Sequence, residues 1–201
     1  MEALAPETLA LLVAIAAVAG MVDAIAGGGG LLALPALLWA GLPPVQALAT
    51  NKLQGTFGTF TASWNFIRRG EIDLKRLRVP ILLTFIGSAA GTEAVRYLGS
   101  ERLEAIVPGL LIAFALYFLF SPRIGDADAQ HRIGHSLFGF LIGFSVGFYD
   151  GFFGPGTGTF FAAAFVLLLG YNLRRATAGT KVLNFTSNIA SLLFFALAGE
   201  V

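Results

Sequence analysis

The 201-residue sequence contains no cysteine, and only two methionines, two tryptophans and two histidines. Without cysteine it can form neither a disulfide nor a thiolate metal site. Charge is also scarce, with Lys, Arg, Asp and Glu making up 12% of the chain against 56% apolar residues. A net charge of +1 offers nothing to a nucleic-acid backbone. So few polar residues could not supply the charged surface that a soluble domain needs. The first apolar run, Leu9 to Ala26, is preceded by Glu2 and Glu7 and by no lysine or arginine. A cleavable signal peptide wants a basic start, so this run reads as the first membrane helix.

What the sequence has in quantity is apolar stretches close to the ~20 residues that cross a hydrocarbon core, with a mean hydropathy of +0.78. The expectation is an all-α polytopic transmembrane bundle. Apolar segments fall at 8–26, 31–42, 45–67, 79–98 and 102–120, and again at 134–153, 158–170 and 175–198. The segments at 31–42 and 158–170 are short for a straight crossing and follow glycine-rich breaks. They are expected to be re-entrant or broken, with irregular backbone buried in protein or lining a wet cavity.

An acidic residue stands in each glycine-rich run, and a lysine follows each at nearly the same interval: Asp23 with Lys52, and Asp150 with Lys181. Charges in hydrocarbon are costly and usually functional. Aligning Asp23 with Asp150 also pairs Gly27 with Gly154. After a two-residue gap it pairs Gly41 with Gly170, Ala47 with Ala176, Lys52 with Lys181 and Glu71 with Glu200. The organisation expected is a first repeat at 1–120, a cytoplasmic linker at 121–133 and a second repeat at 134–201. Measured against the first, the second lacks about two C-terminal helices.

Basic residues collect at Arg68, Arg69, Lys75, Arg76 and Arg78, at Arg123 and Arg132, and at Arg174 and Arg175. The positive-inside tendency assigns these loops to the cytoplasm and the N-terminus to the outside. The repeats then enter the membrane from opposite faces. Such inverted repeats suit alternating access about a site near the midplane. Trp39, Trp64 and Tyr171 lie near segment ends, where amphipathic rings sit at headgroup level.

The run from Asp23 to Leu37, with Gly27–Gly30 and Pro35, and the run from Gly147 to Phe160, with Tyr149-Asp150-Gly151-Phe152-Phe153-Gly154-Pro155-Gly156-Thr157-Gly158, resemble the two signature segments of the TauE/SafE family. The resemblance covers almost the whole chain, although Gly28 and Gly30 stand where the second segment has Pro155 and Thr157. It implies a multi-pass plasma-membrane carrier for small anions such as sulfite or organosulfonates. The partners implied are that anion, the lipid bilayer and, as an open option, a second copy of the chain. No cofactor or metal is implied.

Such an anion needs donors that offset its desolvation. Lys52 and Lys181 are the candidate anion partners, with Asn51, Thr180 and Asn184 as neutral donors. Backbone amides of Gly27–Gly30 and of Gly154, Gly156, Thr157 and Gly158 open the short segments, where a helix N-terminus favours negative charge. Asp23 and Asp150 would orient the lysines. The plainer reading pairs Asp23 with Lys52 and Asp150 with Lys181 as structural ion pairs, with no role for substrate. Isolated glycines, Gly55, Gly58, Gly87, Gly91, Gly139 and Gly143, read as helix-packing positions.

His131 and His135, with Asp126 and Asp128 nearby, read as a solvated loop and not as metal ligands. Two other functions use the same residues. A passive anion channel would need the same lining. An intramembrane aspartyl protease would use Asp23 and Asp150 as a dyad. Its Gly-x-Gly-Asp string is missing, however, and a lysine beside each aspartate works against a shared proton.

Overall fold

The structure, a computed structural model, describes residues 5–25, 28–120 and 132–201. It is all-helical, with no strand among the described residues. Helix α1 runs Pro6–Ile25, α2 Gly30–Trp39, α3 Pro44–Arg68 and α4 Leu74–Phe120. A rod follows, made of α5 His135–Phe138, a π-helical turn Gly139–Gly143 and α6 Phe144–Phe152. Helices α7 Thr157–Leu169 and α8 Leu173–Leu197 complete it. The apolar segments read from the sequence coincide with these helices to within a few residues. One difference is that 79–98 and 102–120 are two arms of α4, joined at Gly99. Its backbone (φ 78, ψ 161) breaks the helical path there, in a region glycine alone enters freely.

Two apolar cores lie at different levels of the bundle. One joins Leu34, Leu48, Val95, Leu103, Phe153 and Phe195. The other joins Leu77, Phe138, Phe161, Phe165, Leu169 and Leu183. Along α4, α6 and α8, buried polar side chains stand between these two cores: Ser88 and Thr92, Asp150, Ser187 and Ser191. The Ser88 hydroxyl donates to the Ser187 carbonyl at 2.7 Å and meets the Ser191 hydroxyl at 2.8 Å, while Thr92 reaches Ser191 at 2.9 Å. Hydroxyl pairs of this kind join helices whose surroundings offer no water.

The outside is the reverse. Leu9, Val13, Met21, Phe57, Leu82, Ile112, Leu119 and Phe140 are all exposed. A polar interior inside an apolar exterior suits a lipid environment. Two described helices are long and apolar enough to cross a membrane, Pro6–Ala24 within α1 and Leu173–Leu197. Helices α2 and α7 are apolar but shorter.

Glycine sets the closest packing. A Cβ on Gly87 or Gly91 of α4 would lie 2.2 or 2.0 Å from the carbonyl oxygens of Phe144 and Phe148 on α6. From the other side, a Cβ on Gly147 or Gly151 would lie 2.6 or 2.0 Å from the carbonyls of Thr84 and Ser88. Gly139 and Gly143 fit against Pro80. Gly58, expected to pack like the others, instead faces open space, with nothing within 4 Å. Gly55 faces the Asn188 amide.

Two loop expectations also change. His135 is not simply solvated: its ring nitrogen lies 2.7 Å from the Tyr171 hydroxyl. Tyr171 is half-buried, stacks on Phe165 and sits under the Arg175 guanidinium, so it is a packing residue as much as an interfacial one. Burial raises its phenol pKa above the usual value, against the pull of Arg175. Trp39 and Trp64 are exposed. His131, Asp126, Asp128 and Arg123 lie outside the described residues.

Candidate functional site

Lys52 and Lys181 are among the largest fully buried side chains. A buried ammonium has to be satisfied locally, and each lysine finds its partner in the opposite half of the chain. Lys52 Nζ on α3 lies 2.9 Å from Asp150 Oδ1 on α6, both side chains being 2% exposed. Lys181 on α8 donates to the backbone carbonyl of Asp23 at the end of α1. The structural pairing expected from the sequence, Asp23 with Lys52 and Asp150 with Lys181, is therefore corrected. The physical reason is that α3 and α8 pack on each other, which brings each lysine to the acidic segment of the other half.

The first centre is well tied. Asn188 Oδ1 on α8 accepts from Lys52 Nζ at 3.4 Å. The Thr157 hydroxyl, in the first turn of α7, lies 2.7 Å from Asp150 Oδ1 and 2.6 Å from the Gly154 carbonyl. Gly154 (φ 97) and Gly156 (φ 85) turn the chain into α7 through left-handed backbone. A Cβ on Gly154 would stand 2.8 Å from Lys52 Nζ, so glycine leaves room for the ammonium. The Tyr149 hydroxyl donates to the Pro155 carbonyl at 2.5 Å and clamps the same turn. Asp150 Oδ2 is buried and has no hydrogen-bond partner.

The second centre is looser. Asp23 Oδ1 accepts from the Gly29 N–H at 2.8 Å, just before α2, so its half-buried carboxylate faces the helix start while Lys181 hydrogen-bonds its carbonyl. The neighbouring Thr180 hydroxyl is buried and unpartnered. Asn184 is buried on α8, in sequence between Lys181 and Asn188.

Between the centres the two short helices meet. A Cβ on Gly30, the first residue of α2, would lie 3.2 Å from Asn51 Nδ2 and 3.4 Å from Pro155 Cα, just before α7. The N-terminal region of each short helix thus approaches the other beside Asn51. A helix start carries a partial positive charge, and here the Asp23 carboxylate faces the α2 start while Asp150 meets Thr157 at the α7 start.

Asn51, Lys52, Gly154, Gly156, Thr157, Gly158 and Asp150 come together here, while Thr180, Lys181 and Asp23 form the neighbouring centre. Gly27 lies outside the described residues. Asn188, which continues the polar face of Lys181 and Asn184 on α8, is a ligand of Lys52, and Tyr149, not among the expected site residues, clamps the turn before α7. The signals were present: Asn188 sits two turns from Lys181 on one helix face, and Tyr149 precedes Asp150 directly. No cluster of three metal-ligating side chains occurs among the described residues.

No solved structure matches the chain significantly. The profile of the family described as sulfite exporter TauE/SafE matches residues 12–201. A Haemophilus influenzae protein named "Probable membrane transporter protein" is 46% identical over 195 residues, covering 97% of this chain and 76% of the relative. The Escherichia coli K12 "Probable membrane transporter protein YfcA" is 48% identical over 196 residues, covering 98% of this chain and 73% of the relative. A Sinorhizobium protein named "Probable membrane transporter protein ORF9" is 45% identical over 201 residues, covering 100% of this chain and 77% of the relative. With its buried lysines and apolar exterior, the chain belongs to the TauE/SafE family of membrane transporters.

Proposed function

We propose that this chain exports a small anion, sulfite or an organosulfonate, across the plasma membrane by alternating access. The observation that carries this reading is the approach of the α2 and α7 N-terminal regions beside Asn51. Short helices that start at membrane depth and aim their positive ends at one point suit an anionic substrate. Lys181 is its main side-chain partner, because the hydrogen bond its ammonium makes is to a neutral carbonyl and not to a carboxylate. Lys52 is already held by Asp150 and Asn188 and positions the turn before α7. Asn51 and the unpartnered Thr180 hydroxyl supply neutral donors.

Alternating access needs two halves that rock against each other. The crosswise pairing of Lys52 with Asp150 and of Lys181 with Asp23 supports two repeats of opposite orientation, each lending a lysine to the other. In this arrangement the chain crosses the bilayer several times, its basic loops lie in the cytoplasm and its N-terminus lies outside.

The test is binding of sulfite, methanesulfonate and chloride to the purified protein, followed by thermal shift. Sulfite or methanesulfonate is expected to raise the melting temperature saturably, and Lys181→Gln to remove the shift while leaving the unliganded protein folded. Equal shifts with chloride, or full shifts in Lys181→Gln, would contradict the reading.

A further inference from the structure

On the second half of the chain, the first arm of α4, residues 74–98, fills the cleft between α6 and α8. Gly147 and Gly151 admit its backbone at Thr84 and Ser88, and Ser187 and Ser191 bond its hydroxyls. In the register that pairs Asp23 with Asp150, Gly20 corresponds to Gly147 and Ala24 to Gly151. In the register that pairs Lys52 with Lys181, Gly58 corresponds to Ser187 and Ala62 to Ser191. These four residues line one open groove of about 590 Å³ between α1 and α3. The same small-residue cleft is filled in one half and, among the described residues, open in the other.

We propose that this groove seats a membrane helix of α4's type, apolar with small residues four apart, supplied by polypeptide outside residues 1–201. The repeat register carries the proposal, and the identity of the anion does not enter. Burial agrees: among the described residues of α1 only Ala19 is buried, whereas its counterpart α6 buries Gly147, Asp150 and Gly151, so α1 lacks the neighbour that α4 gives to α6. The groove offers Gly20, Ala24, Gly58 and Ala62 without the two serine hydroxyls, so the occupant packs backbone to backbone and needs no hydroxyl ladder. The curated relatives carry more chain than is matched here, 76% and 73% of their lengths being covered, and so have residues from which such a helix can come. A second copy cannot lend its α4 without vacating its own α6–α8 cleft.

The absence of cysteine makes the test direct. The chain carrying Ala62→Cys is placed in nanodiscs as a monomer, with a peptide copying residues 74–98 that carries Thr92→Cys. Ala62 corresponds to Ser191, which Thr92 meets in the filled cleft. Disulfide cross-linking is expected at about tenfold the yield given by the same peptide with Gly87→Leu and Gly91→Leu. Gly20→Leu in the chain should abolish it while leaving the chain's own melting temperature unchanged, since nothing but the Gln54 amide lies within 4 Å of a Cβ there. Yields equal for both peptides, or unaffected by Gly20→Leu, would overturn the proposal. So would a disulfide joining two copies of the Ala62→Cys chain when both share one nanodisc, which would assign the groove to a second copy. Cross-linking to a Ser191→Cys chain in place of the Ala62→Cys chain would overturn it too, by showing that the peptide merely replaces α4. None of these outcomes depends on transport.

Discussion

Lys52 on α3 and Asp150 on α6 form a buried ion pair 2.9 Å apart that joins the two halves of the chain. Removing one partner leaves an uncompensated charge among apolar residues. Lys52→Ala is therefore expected to cost about 3–5 kcal/mol of stability. The double variant Lys52→Met with Asp150→Leu should recover most of that loss, because both charges leave together. Thermal unfolding in detergent of the two single variants and the double variant, read as a double-mutant cycle, checks this. Additive losses would mean that the pair is not coupled.

The glycines make a contrasting pair. Gly151→Ala puts a methyl 2.0 Å from the Ser88 carbonyl and must push α4 from α6. Overpacking of this kind typically costs about 1–3 kcal/mol. Gly58→Ala meets nothing within 4 Å and should be neutral or stabilising by up to about 1 kcal/mol through helix propensity. Melting temperatures of both variants of the 201-residue chain decide it.

That contrast marks how far the sequence could be read. Apolar runs located the helices because about 20 apolar residues leave little alternative to a helix in lipid. The glycine-rich breaks signalled α2 and α7 because the backbone there must turn. Which isolated glycines pack was not legible, since Gly58 and Gly87 look alike until a neighbour is present. Nor was the choice of partner for each lysine. Asp23 and Lys52 stand in the same repeat, but contact is decided by how α3 and α8 cross. Asn188 was one polar residue among several on α8, and only the approach of α3 marks it as a ligand of Lys52.

Tyr149 holds the turn before α7 through the Pro155 carbonyl. Tyr149→Phe should lower stability by about 0.5–1.5 kcal/mol. The larger effect expected is on anion affinity, since the α7 start is no longer fixed opposite Asn51. The check is a titration in which the half-saturating anion concentration rises several-fold more than the loss of stability explains. An unchanged midpoint would make the clamp purely structural.

Orientation can be read with single cysteines. Glu7→Cys should react with a membrane-impermeant maleimide in intact cells, while Lys75→Cys, in the basic first turn of α4, should react only after permeabilisation. The opposite pattern would invert the proposed topology.

The most direct measurement is the initial rate of labelled sulfite flux in proteoliposomes containing the wild type, Lys181→Gln or Gly58→Ala. The account predicts saturable flux for the wild type and Gly58→Ala, and its loss in Lys181→Gln at equal reconstituted protein. Undiminished flux in Lys181→Gln, or none above empty liposomes for the wild type with sulfite or any organosulfonate tested, would contradict it.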